Sequence, residues 1–288
     1  MKPQHRSVFI SDIHLGTPEC RVNYLLSFLR QLQCEQLYLV GDVIDFEAME
    51  KRHYWPAEHT QVVLEVLALA RRGVKVTYIP GNHDCNLRNL AGQSIAGVEI
   101  KLWCEHVAAD GRRYRVSHGD EFDPEAIGKR WLLWVGEHAQ RWLSVANRAF
   151  NRLRRGLSLP YLPLSIIAKS RVSAALHYIR QYQQRVALHA RDEGYDGHIC
   201  GHIHFGHVQS YDGVLYLNDG DWVEHCTALT EDQDGRMSLL HWSDHCAPIA
   251  TAEQGRVDHW HPNPLPLRSL APRPLLAPTA EVSSATAE

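Results

Sequence analysis

Short apolar runs, each ending in a polar loop, organise the first 120 residues of the chain. Val8-Phe9-Ile10 predicts a buried strand that opens into Ser11-Asp12-Ile13-His14-Leu15-Gly16. Tyr24, Leu25, Phe28, Leu29 and Leu32 recur at helical spacing, and Gln36 to Val40 predicts a second buried strand ending in Gly41-Asp42-Val43-Ile44-Asp45. Val62, Val63, Val66, Leu67 and Ala70 form another helix face. A third strand, Val74 to Ile79, ends in Pro80-Gly81-Asn82-His83-Asp84. Strand, polar loop and helix in repetition imply parallel pairing, and in such sheets ligands bind beyond the carboxyl ends of the strands. The glycines before Asp42 and Asn82 permit close approach that a β-carbon would hinder.

Between Val98 and Val116 apolar runs flank the hairpin signal Ala109-Asp110-Gly111-Arg112, and the second run ends in Ser117-His118-Gly119-Asp120. A helical segment follows, and Gly197 to Cys200 then leads into Gly201-His202-Ile203-His204. Strands around Asp212-Gly213 and Asp234-Gly235 are expected to close the ordered region near Trp242. The expected organisation is one domain over 1–246 with a helical insertion at 124–193, and a Pro/Ala/Ser-rich disordered tail at 247–288.

Composition changes this picture little, with one exception. The formal charge is -3, but from Lys129 to Arg185 the chain has eleven Lys/Arg against one acid, Glu137, so a basic segment sits on an acidic body. Seven cysteines without CxxC spacing predict reduced packing residues rather than a disulfide framework or zinc cluster. No apolar run approaches the roughly 20 residues of a spanning helix, and the start lacks a signal-like apolar region, so a cytoplasmic protein is expected.

The five polar strand ends carry Asp12, His14, Asp42, Asn82, His118, His202 and His204. Three oxygen donors and four imidazoles make a set for two metal ions. Manganese suits these mixed donors best, with iron or zinc possible; an all-oxygen magnesium or calcium cage does not fit. His83, beside Asn82, is placed to bond a phosphoryl oxygen or protonate a leaving group, with Asp84 as the carboxylate to orient it.

The ordered series Asp12-x-His14, Gly41-Asp42, Gly81-Asn82-His83-Asp84, His118 and Gly201-His202-x-His204 resembles the calcineurin-like metallophosphoesterases from Val8 to about Trp242. The resemblance implies a four-layer αββα sandwich with the insertion as a lid. It also implies one ion held by Asp12, His14, Asp42 and His204, and a second by Asp42, Asn82, His118 and His202. Within that superfamily the motifs and the long insertion resemble the UDP-2,3-diacylglucosamine pyrophosphatases, which release UMP and a lipid monophosphate in lipid A synthesis. That implies a nucleotide-linked glycolipid substrate and association with the cytoplasmic face of the inner membrane. Substrate contacts implied by the family's lid are Ser165, Lys169 and Arg171, with Asp123 at the sugar. The chain departs from the best-known branch at His83, where that branch has arginine, at Ile203-His204-Phe205, and at Asn218-Asp219-Gly220-Asp221-Trp222. These departures point to a sister branch.

The insertion supports a lipid independently: Trp131, Trp134, Val135, Trp142, Val145 and Ala149 share a helical stripe near several arginines. The alternatives are a general phosphodiesterase or phosphomonoesterase with a soluble substrate, and a non-catalytic interaction module on the same fold. Nucleic acid is not an expected partner, because the basic residues are confined to one tryptophan-rich insertion. His207 exceeds the ligand set and reads as a loop residue; His225 reads as a satisfied histidine.

Overall fold

The computed structural model describes residues 4–123, 173–242, 247–253 and 256–259. Its strands form two sheets. The larger has nine strands in the order β14-β13-β12-β11-β1-β2-β3-β5-β4, where β1 is His5–Ile10, β2 Cys34–Val40, β3 Lys75–Ile79, β4 Ser94–Ile95, β5 Val98–Ile100, β11 Thr227–Glu231, β12 Met237–His241, β13 Ala247–Glu253 and β14 Arg256–His259. The smaller has the order β6-β7-β8-β10-β9, with β6 Cys104–Val107, β7 Arg113–Val116, β8 Gly197–Cys200, β9 His207–Tyr211 and β10 Val214–Asn218. Strands β1, β2, β3 and β5 pair in parallel, as the repeated strand-and-helix pattern predicts.

Alternation along the strands explains the layers. Val8, Ile10, Leu37, Leu39 and Val76 face helices α1 (Val22–Gln31) and α3 (Ala57–Arg71), which contribute Leu25, Leu29, Val62, Val66 and Leu69. The intervening Phe9, Tyr38, Val40 and Ile79 point the other way, against Val116, Ile199, Leu215 and Leu217 of the second sheet. On that sheet's far side, Tyr182 and Val186 of helix α4 (Ser173–Asp192) pack with Cys200 and Tyr216. The result is helices, sheet, sheet, helix. A short helix, α2 (Phe46–Lys51), follows the β2 loop.

Two expectations need correction. The strands do not stop near Trp242: β13 pairs antiparallel with β12 and β14 with β13, and Ala250 and Ala252 are buried between the sheets. Alternating small residues in Ala247–Glu253 carry too weak an apolar signal to read as a strand, yet they suit a closely stacked face. The remainder of the expected tail, 260–288, lies outside the described residues. The second correction concerns 124–193. Its described end, helix α4, is the fourth layer of the sandwich, held by Tyr182, Val186 and Ala190, all with no exposed side chain surface. The segment 124–172, with the tryptophan stripe, lies outside the described residues. Among the described residues no helix is long and apolar enough to cross a membrane.

One buried ionic group ties the sheets together. Glu231, fully buried in β11, accepts from Arg6 Nη1 at 2.8 Å, the Ala109 amide at 2.7 Å and His106 Nε2 at 2.9 Å. Burial opposes its charge, but the bond to His106 and these further donors hold the carboxyl below the usual range. Glu231→Gln should therefore lower stability by about 3 kcal/mol at neutral pH, because its partners lose a matched charge. A depressed folded pKa means that this contribution is present above the unfolded value and disappears as pH falls through the folded one. Denaturation curves of wild type and variant should accordingly converge as pH falls below the ordinary carboxylate range.

Candidate metal centre

The loops after β1, β2, β3, β7 and β8 meet where the carboxyl ends of both sheets share an edge. Their backbone is unusual. Asp12, His14, Asp42, His202 and His204 all have positive φ, between 49° and 69°. This left-handed region costs an ordinary residue on the order of 1 kcal/mol, and it persists where the surroundings over-determine it. Here the amides of Ile13 and His14 both donate to the Asp42 carbonyl, and that of Asp12 to the Gly41 carbonyl. Gly81 and Gly201 have no room for a β-carbon: at Gly81 it would collide with Asp42 Oδ1 and His118, at Gly201 with Ser11 Oγ and Asp12 Oδ2.

The side chains form two adjoining groups. In the first, His204 Nε2 lies 3.1 Å from Asp12 Oδ1 and 3.2 Å from His14 Nε2. In the second, His118 Nε2 lies 3.2 Å from Asp42 Oδ2 and 3.2 Å from Asn82 Oδ1, and His202 Nδ1 is also 3.2 Å from Asn82 Oδ1. Ligand atoms of Asp12, Asp42 and His118 fall within 4.8 Å of one another, which joins the groups. All seven residues expected from the sequence thus converge.

Their hydrogen bonds test whether a metal fits. His118 Nδ1 donates to the Val40 carbonyl at 2.8 Å and His14 Nδ1 to Asp45 Oδ2 at 2.9 Å, so each presents the Nε2 lone pair inward. Asp12 Oδ2 accepts from the His202 amide at 2.9 Å and from Ser11 Oγ at 2.6 Å, whereas Asp12 Oδ1 is buried and makes no hydrogen bond. Inward lone pairs and a bare carboxylate oxygen at about 3 Å from one another are donors for a cation, and the set fits two ions. Without ions the same crowding holds protons. Burial opposes the charge of both Asp42 and His118, yet each, lying beside the other, is driven strongly toward its charged form. Metal binding would displace the proton from His118.

His83 stands at the rim, a quarter exposed, with its amide donating to Asp42 Oδ1 at 2.8 Å. Its orienting carboxylate is not Asp84, as the sequence suggests, but Asp45, whose Oδ1 lies 3.1 Å from His83 Nδ1. Burial lowers the His83 pKa, but that bond and the charges of Asp42, Asp45 and Glu47 outweigh it and raise the value to about 9. Asp84 is occupied elsewhere, accepting from the amides of Gly81 and Val43 and from the Tyr78 hydroxyl, so it staples the β3 loop to the β2 loop. Asp45 was legible only as the second acid of Gly41-Asp42-Val43-Ile44-Asp45, at the N-cap of α2, where it accepts from the Ala48 amide at 2.7 Å.

Asp123 lies beside the second group, its Oδ2 3.2 Å from His202 Nε2 and 2.6 Å from the Tyr178 hydroxyl of α4. Ser165, Lys169 and Arg171 lie outside the described residues. His207 opens β9, where it pairs with Asn218, and His225 Nδ1 is held by Asp221.

The calcineurin-like phosphoesterase model matches residues 5–206, which include every loop of this centre. The chain belongs to that family. It is therefore a metal-dependent hydrolase of phosphoric esters or pyrophosphate that uses a dinuclear centre. It is similar to proteins named UDP-2,3-diacylglucosamine hydrolase: one from Neisseria meningitidis is 25% identical over 82% of this chain and 96% of its own, and one from Histophilus somni is 22% identical over 80% and 97%. A phosphoesterase structure from E. coli aligns over 85% of this chain and 97% of that one, at 17% identity and a TM-score of 0.45.

Gly81→Ala should force Asp42 and His118 apart. Elemental analysis after chelation and reloading should find less bound divalent metal than in wild type, with the circular dichroism spectrum retained. Wild-type metal content would show that the close approach at Gly81 is not required.

Proposed function

We propose that this chain hydrolyses the diphosphate of UDP-2,3-diacylglucosamine, or of a closely related nucleotide-linked glycolipid, to UMP and a lipid monophosphate. The observation that carries the reading is the end-to-end similarity to hydrolases named for that substrate, aligned along 96% of the Neisseria chain. In this reading Asp12, His14, Asp42 and His204 hold one ion and Asp42, Asn82, His118 and His202 the other. The mixed carboxylate, amide and imidazole set favours manganese. Bound there, two ions would neutralise phosphoryl charge and activate water for in-line attack.

The chain's own groups do the rest. Asp42, whose Oδ1 accepts from the His83 amide while its Oδ2 faces His118, ties the two ligand groups to the loop that bears His83. His83, charged and anchored through Nδ1 to Asp45, turns Nε2 toward a phosphoryl oxygen or the leaving phosphate and can donate a proton there. The bond to phosphorus forms from water, and the bridging phosphorus–oxygen bond breaks. In this reading Asp123, 3.2 Å from His202 Nε2, meets the sugar. The basic, tryptophan-rich segment 124–172 is the part of the chain suited to acyl chains and an anionic membrane surface, which agrees with a role on the cytoplasmic face of the inner membrane in lipid A synthesis.

The test is turnover of UDP-diacylglucosamine, UDP-sugars without acyl chains and bis-nitrophenyl phosphate by the manganese-loaded protein. The acylated substrate should be strongly preferred, and Asn82→Ala or chelator should lower its rate at least a hundredfold. Equal rates with and without acyl chains would assign a soluble substrate. No turnover of any of them would overturn the catalytic reading in favour of an interaction module.

A further inference from the structure

The turn Asn218-Asp219-Gly220-Asp221-Trp222 lies behind the centre and touches the loops on both of its sides. Asn218 Nδ2 donates to the Gly201 carbonyl at 2.6 Å, next to His202, and the Trp222 amide donates to the Asp12 carbonyl at 3.1 Å. Between these contacts sits Asp219, fully buried. Its Oδ1 is 2.5 Å from Ser11 Oγ, and Ser11 Oγ is in turn 2.6 Å from Asp12 Oδ2.

Counting hydrogens fixes the state of this chain of groups. A serine hydroxyl donates once. Two carboxyl oxygens within 2.6 Å of it need two hydrogens, so one acid must bring its own. Asp12 Oδ2 already accepts from the His202 amide, and Asp12 Oδ1 faces the His14 and His204 nitrogens, so a proton on Asp12 would oppose its neighbours. Asp219 Oδ2 is buried and makes no hydrogen bond; this is tolerable for the carbonyl oxygen of a neutral acid and costly for a carboxylate. Burial first of all, and then the charge of Asp12, hold the Asp219 carboxyl well above the usual range, in spite of its bond to Ser11.

We propose that Asp219 is a positioning residue that, as a neutral acid, donates through Ser11 to Asp12 and thereby fixes which Asp12 oxygen is turned to the metal. With Oδ2 held by Ser11 and the His202 amide, Oδ1 is the oxygen left for the ion shared with His14 and His204. The relay also draws electron density from Asp12, so it sets how tightly that ion is held without touching it. The proposal rests on the two-ion reading given above.

Calorimetric titration of the chelator-stripped full chain with manganese chloride tests it, using wild type, Asp219→Asn, Asp219→Ala and Ser11→Ala. An asparagine amide can replace the acid's O–H as donor to Ser11. Asp219→Asn should therefore bind both ions within about threefold of wild type, whereas Asp219→Ala and Ser11→Ala should weaken one of the two by about tenfold or more. Wild-type binding in Asp219→Ala and Ser11→Ala, or a loss in Asp219→Asn as large as in Asp219→Ala, would overturn the proposal while leaving the two-ion reading intact. Absence of manganese binding by wild type would overturn both. If Asp219→Ala fails to fold, infrared difference spectra of wild type and Asp219→Asn decide: a protonated-carboxyl band lost in the variant supports the neutral acid, and no such band contradicts it.

Discussion

The centre depends on one constraint: electron-rich donors that would repel one another must be held with their lone pairs facing inward. Outward hydrogen bonds accomplish this. His118 is locked by the Val40 carbonyl, His14 by Asp45, and Asp12 by Ser11 and the His202 amide, so that each has one atom left for the interior. The left-handed backbone at Asp12, His14, Asp42, His202 and His204 is the strained geometry by which short loops aim these atoms at a common point.

The stacked sheets make that convergence possible. Loops after β1, β2 and β3 come from one sheet and loops after β7 and β8 from the other, and the apolar layer of Phe9, Val40, Val116 and Leu217 between them brings the two rows of strand ends to one edge. Several of the buried acids fall into two kinds. Asp84, Asp221 and Glu231 are filled by the chain's own donors and serve as fasteners. Asp12 and Asp42 stay charged beside histidines, and Asp12 keeps a bare oxygen. Asp45 joins the kinds, since it fastens α2, aligns the His14 imidazole and anchors His83, so the rim imidazole and the interior are set by one carboxylate.

Much of this was legible in the sequence because each strand ends where apolar residues give way to glycine and a donor. Val8 to Ile10, Leu37 to Val40 and Val76 to Ile79 alternate two buried faces, and the seven donors follow from the loops after them and after Val116 and Cys200. The misses share a cause. Ala250 and Ala252 fill a closely stacked layer, where small size counts rather than hydropathy, so β13 and β14 read as tail. Asp84 neighbours His83 in sequence, yet the loop turns its side chain inward to Tyr78, and the partner of His83 comes from the preceding strand end. Sequence adjacency carries no direction for a side chain in a tight loop. Asp219 lacked any spacing signal, because its role arises only when its turn is laid against Ser11.

The donor set calls for a pair of ions with Asp42 between them. Anomalous diffraction from crystals of the full chain grown with manganese tests it most directly. Two peaks are expected, one among Asp12, His14 and His204, the other among Asn82, His118 and His202, each within bonding distance of Asp42. A single peak, or two that do not share Asp42, would contradict it.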